Sequence, residues 1–336
     1  MRKKWMAVSL SVVLALTSLL GCSQQTKNGG VNMKYAMAQA EYPKMAPYPD
    51  EQSFFNDKTG EWDERGFDKA YDAWQKDKKA QQNWAADGYQ DGLKEFCEKT
   101  MPLFLKSEGE NRVYSPLNLY LALAMLAEVT DGESRQQVLD LLCVENIETL
   151  REKVAALWNV NYCKDGAVTS VLANSLWLDD EIGYNEKTLE RLAETYYASA
   201  FSGEMGSEEY DQALRDWINA QTGDLLKEQA EGLSMDPRCV LALASTIYFQ
   251  AKWSNEFYNE AEPGIFHGAG GDTDCEYLKE SQAQNYYWSE QFAAVAKGLE
   301  GSGNMWLFLP DEGVTPEDLL ADPDVLSLVN GAGSWE

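Results

Sequence analysis

Residues 114–126 read YSPLNLYLALAML: a serine and a proline open an apolar run, and Asn118 follows two residues after the proline. Ser115 suits the N-cap of a helix, because its hydroxyl can accept from the free amides of the first turn. Pro116 then takes the first helical position, where its missing N–H costs nothing. From Leu117 to Ala127 the run is apolar almost all round, which predicts a buried helix and not an amphipathic surface one. Asn118 in such a helix must find partners or cost about 2 kcal/mol or more of desolvation. The stretch alone supports two readings, a capped core helix with one satisfied asparagine or a polar group kept beneath the core for a purpose.

Outward from this helix the pattern stays globular. Upstream, Leu93, Phe96, Met101 and Phe104 predict a helix broken or ended near Pro102. Downstream, TDGES leads into a helix over Glu133–Leu142, followed by another over Glu148–Asn159. AVTSVLANSLWL (167–178) has the β-branched, alternating character of a strand. Helices near Asn185–Tyr197 and Glu208–Gln221 flank a short strand in ASAFSGEM (198–205). RCVLALASTIYFQAKW (238–253) is nearly all apolar, which predicts a long strand, Cys239–Phe249, buried on both faces. AQNYYWS, FAAVAKGL and NMWLFLP read as further strands, and TPEDLLADPDVLSLVN (315–330) as one terminal helix. Helices come mostly first and strands later, so the fold class is α+β.

The chain's 336 residues divide into three parts. MRKK and the apolar run Trp5–Leu20 read as a signal peptide over 1–21, too short for a comfortable membrane span. It closes on SLLGC, which resembles a bacterial lipoprotein cleavage box, although Leu20 stands where a smaller residue is more usual. In that reading Cys22 becomes a lipidated N-terminus that tethers the protein to the outward face of a membrane; ordinary secretion is the alternative. Residues 22–87 form a polar tether and a Pro- and aromatic-bearing extension, and 88–336 the globular part. In the extension Pro43, Pro47 and Pro49 keep the chain extended, and Phe67, Tyr71 and Trp74 recur at helical spacing, predicting a helix near Asp68–Lys78. Its aromatics serve either to dock the extension onto the body, the preferred reading, or to bind a partner or sugar.

Composition excludes several functions. With 55 acidic against 28 basic residues the net charge is -27, which disfavours nucleic acid and anionic lipid as charge partners and favours a soluble, self-repelling surface. Beyond Cys22 the cysteines are Cys97, Cys143, Cys163, Cys239 and Cys275, without C-x-x-C spacing. Most fall in segments read as core or element ends, where a free thiol acts as a small hydrophobe. His267 is the sole histidine and no hydroxyl-acid motif accompanies it, so a Ser-His-Asp or Cys-His catalytic set, or the usual zinc site, is hard to build. No phosphate loop, dinucleotide turn or ligand cluster points to an enzyme or a cofactor.

Five separated motifs fall into one order. NRVYSPLNLYLALAMLAEVTDGESRQQVLDLL, LANSLWL with Ala173 and Asn174, WINAQTGDLL with Trp217 and Thr222, STIYFQAKWSNEF with Tyr248, Phe249, Trp253 and Phe257, and MWLFLP together resemble the serpin family from about Gly88 onward. The resemblance implies a suicide inhibitor of serine and sometimes cysteine proteases. In that family a cleaved bait loop inserts as an added strand in the main sheet. It places Ser115, Asn118 and Asn174 in or near the shutter beneath the sheet centre, and Trp253 at the breach where insertion begins. Ser245 stands where the family has a shutter asparagine, and Arg215 where it has an asparagine on the helix crossing the sheet, a change read as reorganising a surface.

The resemblance also implies that the last main-sheet strands and the bait loop are missing from these residues, as in a truncated chain. An isolated chain of this kind is expected to form no acyl complex with a protease, to expose the edge of strand Cys239–Phe249, and to be poorly soluble or non-cooperative in unfolding. That edge could instead accept a strand from a partner, making the protein a non-inhibitory surface binding module. A carbohydrate- or solute-binding lipoprotein is a third reading, resting only on the 11 Trp and 17 Tyr.

Overall fold

The computed structural model describes residues 33–56, 58–82, 85–106, 110–255, 257, 260–268, 270–281, 285–301, 303–320 and 322–329. The stretch 1–21 expected to be a signal peptide, and Cys22, lie outside the described residues. In chain order the elements are β1 (Ala36–Ala38), β2 (Phe55–Asn56), β3 (Glu61–Trp62), α1 (Glu64–Gln82), α2 (Asp91–Phe104), α3 (Pro116–Val129), α4 (Gly132–Leu141) and α5 (Ile147–Asn161). They continue with β4 (Cys163–Lys164), β5 (Val168–Asp179), α6 (Glu186–Thr195), β6 (Ala198–Gly203), α7 (Glu208–Thr222), α8 (Lys227–Ala230) and β7 (Leu241–Ala251). Last come β8 (Glu262–Gly268), β9 (Gly271–Tyr277), β10 (Tyr286–Trp288), β11 (Phe292–Leu299), β12 (Gly303–Pro310), α9 (Pro316–Leu319) and α10 (Pro323–Val329).

The main sheet is five-stranded and centres on β5. β7 runs antiparallel along one side of β5, from Val168 opposite Ala251 to Leu178 opposite Leu241. The other side is shared by β6, parallel over Asn174–Asp179, and by β4 at Thr169 and Ser170. β1, from the N-terminal extension, closes the far side by pairing with β6. Parallel pairing of β5 with β6 requires a crossover, and α6 supplies it.

Helix α3 begins as its sequence predicts: the Asn118 amide donates to Ser115 Oγ at 3.3 Å, with Pro116 in the first turn. Tyr120, Leu121, Ala124, Met125 and Ala127 are buried in the main core beneath the sheet. On the other face Trp177 stacks on Phe201 with ring centroids 4.2 Å apart, and Tyr210 of α7 meets the same indole edge-on at 5.3 Å. A smaller core lies under the antiparallel sheet β10-β11-β12, where Phe292, Ala294, Leu319, Val325 and Leu328 pack together.

Four expectations change. The long apolar strand spans Leu241–Ala251 rather than Cys239–Phe249, and only Thr246 in it is buried, so it is not covered on both faces. Among the described residues it pairs with β5 alone, which leaves its outer edge free. Cys239 lies exposed before that strand, while Cys97 and Cys163 are buried and Cys143 and Cys275 half-buried. The terminal helix divides into α9 and α10, because Asp322 Oδ1 caps the Asp324 amide at 2.7 Å and Pro323 starts a new first turn. Finally, β8 and β9 form a hairpin where the sequence reading placed no element.

Candidate functional site

The central cluster forms where β5 and β7 cross α3. Side chains alternate along a strand, so Ser245 and Asn174, register partners across the ladder, face the same helix. The Ser245 hydroxyl donates to Asn174 Oδ1 at 2.8 Å, with Asn118 Oδ1 at 3.4 Å as its second, longer acceptor. Asn174, 1% exposed, donates its Nδ2 to the Tyr196 carbonyl at 2.9 Å. Three of the four residues that the resemblance assigns to the shutter thus share one bonded cluster. Ser115 joins it through the backbone of Asn118.

Tyr196 carries the cluster deeper. Its hydroxyl donates to Glu128 Oε2 at 3.0 Å, and Glu128 lies near the end of α3 with its side chain 1% exposed. Arg151 donates to both Glu128 oxygens, 2.8 Å each, and Arg191 donates to Oε1 at 2.9 Å. Burial pushes the Glu128 carboxyl up, but the hydrogen bonds from Arg151, Arg191 and Tyr196 outweigh it and hold the group below its ordinary value. Burial raises the Tyr196 hydroxyl far above the ordinary tyrosine range, so it remains a donor. This anchored charge was not singled out in the sequence; its signal was a lone acid in an otherwise apolar helix.

The opposite face of β7 is different. Thr246 Oγ1 is buried without a hydrogen-bond partner. Above it crosses α7, where Arg215 is buried and donates to Gln212, to the Leu233 carbonyl at 2.8 Å and to Glu208. Arg215 therefore ties the crossing helix to the loop after it and does not merely reorganise a surface.

Trp253 sits apart from the central cluster, just past β7. It forms a bridge to Leu299, flanked by bonds from the Glu300 amide to the Lys252 carbonyl at 2.9 Å and from the Ser254 amide to the Gly298 carbonyl at 3.0 Å. Phe257 meets its ring edge-on at 5.8 Å. Lys297, 7% exposed, places its ammonium 4.1 Å from the Phe257 ring centre and 5.6 Å from that of Trp253, and it pairs with Glu280. The bridge and its two flanking bonds join the end of the main sheet to the sheet β10-β11-β12. Together the two places offer strand pairing beside Trp253 and a polar floor at the Ser245–Asn174–Asn118 cluster.

Comparison with known proteins agrees with this layout. The family profile described as "Serpin (serine protease inhibitor)" matches residues 91–322. Serpin-ZX of Arabidopsis thaliana is 25% identical over 228 residues, covering 64% of this chain and 58% of its own. Human neuroserpin is 22% identical over 214 residues, covering 61% of this chain and 50% of its own. The chain spans about half the length of the curated relatives it matches. Among solved structures, the thermophilic serpin tengpin in its native state superposes with a TM-score of 0.65 at 19% identity, covering 73% of this chain and 63% of tengpin. Tengpin in its latent state gives 0.64 at 20% identity, with 73% and 67% covered.

Proposed function

The chain belongs to the serpin family, and from that premise we propose that the protein is an inhibitor of serine-type, or else cysteine-type, endopeptidases, held outside the cytoplasm by a lipid on Cys22. The described residues supply the part of such an inhibitor that receives a strand. The observation that carries the reading is the outer edge of β7, unpaired among the described residues, lying over the Ser245–Asn174–Asn118 cluster. A free strand edge offers a row of backbone donors and acceptors to an incoming chain. Beneath it, the Ser245 hydroxyl has two acceptors within reach and can trade one for the other as the sheet shifts, at little net cost.

Strand acceptance is tested on the 336-residue chain with a labelled extended peptide of alternating Thr, Ala and Val. Stoichiometric uptake, read as a shifted band on a native gel that resists competing unlabelled peptide, is the expected result. Labelling that stays at background counts against the reading. The trapping reaction itself reads out as an SDS-stable acyl complex with a serine protease in a polypeptide that carries a bait loop. Anchoring is checked by metabolic labelling with a fatty-acid analogue, with incorporation expected to vanish in Cys22→Ala.

A further inference from the structure

The N-terminal extension ends in contacts placed at one end of the main sheet, the end where Val168 pairs with Ala251. Trp74 of α1 is 3% exposed and donates its indole N–H to Asp165 Oδ2 at 3.1 Å. The same carboxylate accepts at Oδ1 from the amides of Ala167 and Val168, at 3.0 and 2.8 Å, and so shapes the turn that starts β5. The Asp165 carbonyl accepts from the Tyr48 amide at 2.6 Å, and the Tyr48 ring meets Trp74 edge-on at 5.1 Å. Asp165 therefore holds two separate segments of the extension while holding the head of the central strand.

Lys78, one turn beyond Trp74, reaches the second sheet. Its ammonium donates to the Gly301 carbonyl at 2.5 Å, lies 3.9 Å from Asp165 Oδ2 and sits 4.9 Å from the centre of the Trp74 ring. Gly301 is in the β11–β12 turn, two residues past the Trp253–Leu299 bridge. It has φ of +63°, and a Cβ there would lie 3.0 Å from Lys78 Nζ and 3.4 Å from Trp74 Cη2. Both the turn and the approach of the helix thus need a glycine. Beneath these contacts is a cavity of about 240 Å³ lined by Met45, Lys78, Tyr162, Cys163, Ser170 and Phe249, so apolar packing does not by itself fill this end of the sheet.

We propose that α1 is a brace that pins the heads of the two sheets together through Trp74 and Lys78, and thereby sets how readily the β7 edge opens to a strand. The second clause rests on the strand-accepting reading above. A brace of this kind is a point of control, since whatever lifts or cleaves the extension frees the sheet end beside Trp253.

The test compares the full chain with Trp74→Phe, which keeps a ring and removes the donor, with Lys78→Met, which keeps the stem and removes the ammonium, and with Gly301→Ala. Amide hydrogen exchange is followed at residues 168–171, 250–254 and 298–301, and at residues 174–178 as an internal control. Each variant is expected to exchange about tenfold faster at the first three segments and unchanged at the control. The Thr/Ala/Val peptide is expected to enter these variants faster than the unaltered chain. Exchange at the sheet heads that matches the unaltered chain in all three variants overturns the brace, whether or not the peptide binds. Accelerated exchange with equal peptide uptake overturns the control of opening. Accelerated exchange with no uptake by any chain upholds the brace and removes the strand-accepting reading instead.

Discussion

β5 and β7 are neighbours in one ladder and carry the same kind of sequence, VTSVLANSLWLD against LALASTIYFQA, yet they meet opposite fates. Along β5 every residue from Ser170 to Leu178 is buried; along β7 only Thr246 is, and Phe249 is 48% exposed. Apolar pattern does not account for this. β5 has pairing partners on both sides, core helices beneath it and the Trp177–Phe201–Tyr210 stack above. β7 has one partner, and its second edge is free among the described residues. A strand's burial follows from how many of its sides are covered, and an apolar sequence states only how many it is fitted to have covered.

The contrast breaks most visibly through large deletions. Trp177→Ala should destabilise the protein by about 4 kcal/mol, the usual cost of emptying a packed aromatic site, whereas Phe249→Ala on β7 should cost about 1 kcal/mol or less. Urea unfolding of the two variants checks this, and similar losses would erase the distinction between the strands.

Next in size is the buried charge beneath them. Glu128→Gln leaves Arg151 and Arg191 facing a neutral group and should cost about 3 kcal/mol. Because the folded state holds the Glu128 carboxyl below its ordinary value of 4.5, the stabilisation is complete above that pH. It is lost as pH falls through the depressed folded value. Acid titration of stability should therefore show a drop below pH 4.5 that is shallower in Glu128→Gln.

Smaller effects sharpen the comparison across the ladder. Asn174→Ala on β5 removes acceptor and donor together and should cost about 2 kcal/mol, against about 1 kcal/mol for Ser245→Ala on β7. The double variant should cost less than the sum, because the two side chains share one bond. Smallest, and opposite in sign, is Thr246→Val, which removes an unpartnered buried hydroxyl and should stabilise by about 0.5–1 kcal/mol.

Local chemistry made much of the fold legible. Ser115 and Pro116 announced α3 to the residue, and the class α+β with the serpin layout followed from motifs that the structure sets side by side at the Asn174–Ser245 register. What stayed hidden depended on distant partners. Glu128 gives no local hint of two arginines 23 and 63 residues away. Arg215 looked like a surface residue because the Leu233 carbonyl that receives it comes from a later loop. The β8–β9 hairpin escaped because most of its residues are exposed, so no apolar alternation marks it; its turn glycines, with Gly271 at φ of +118°, were the available signal. Asp165 was passed over for the same reason as Glu128: its contacts with Trp74 and Lys78 span some 90 residues of chain.

The central claim is that the free edge of β7 receives a strand above the Ser245–Asn174–Asn118 cluster. Hydrogen exchange across residues 241–251, measured with and without the Thr/Ala/Val peptide, tests it most directly. Slow exchange confined to the amides bonded to β5, extending to the outward-facing amides once peptide is present, is the predicted result. Outward amides that exchange as fast with peptide as without it would contradict the account.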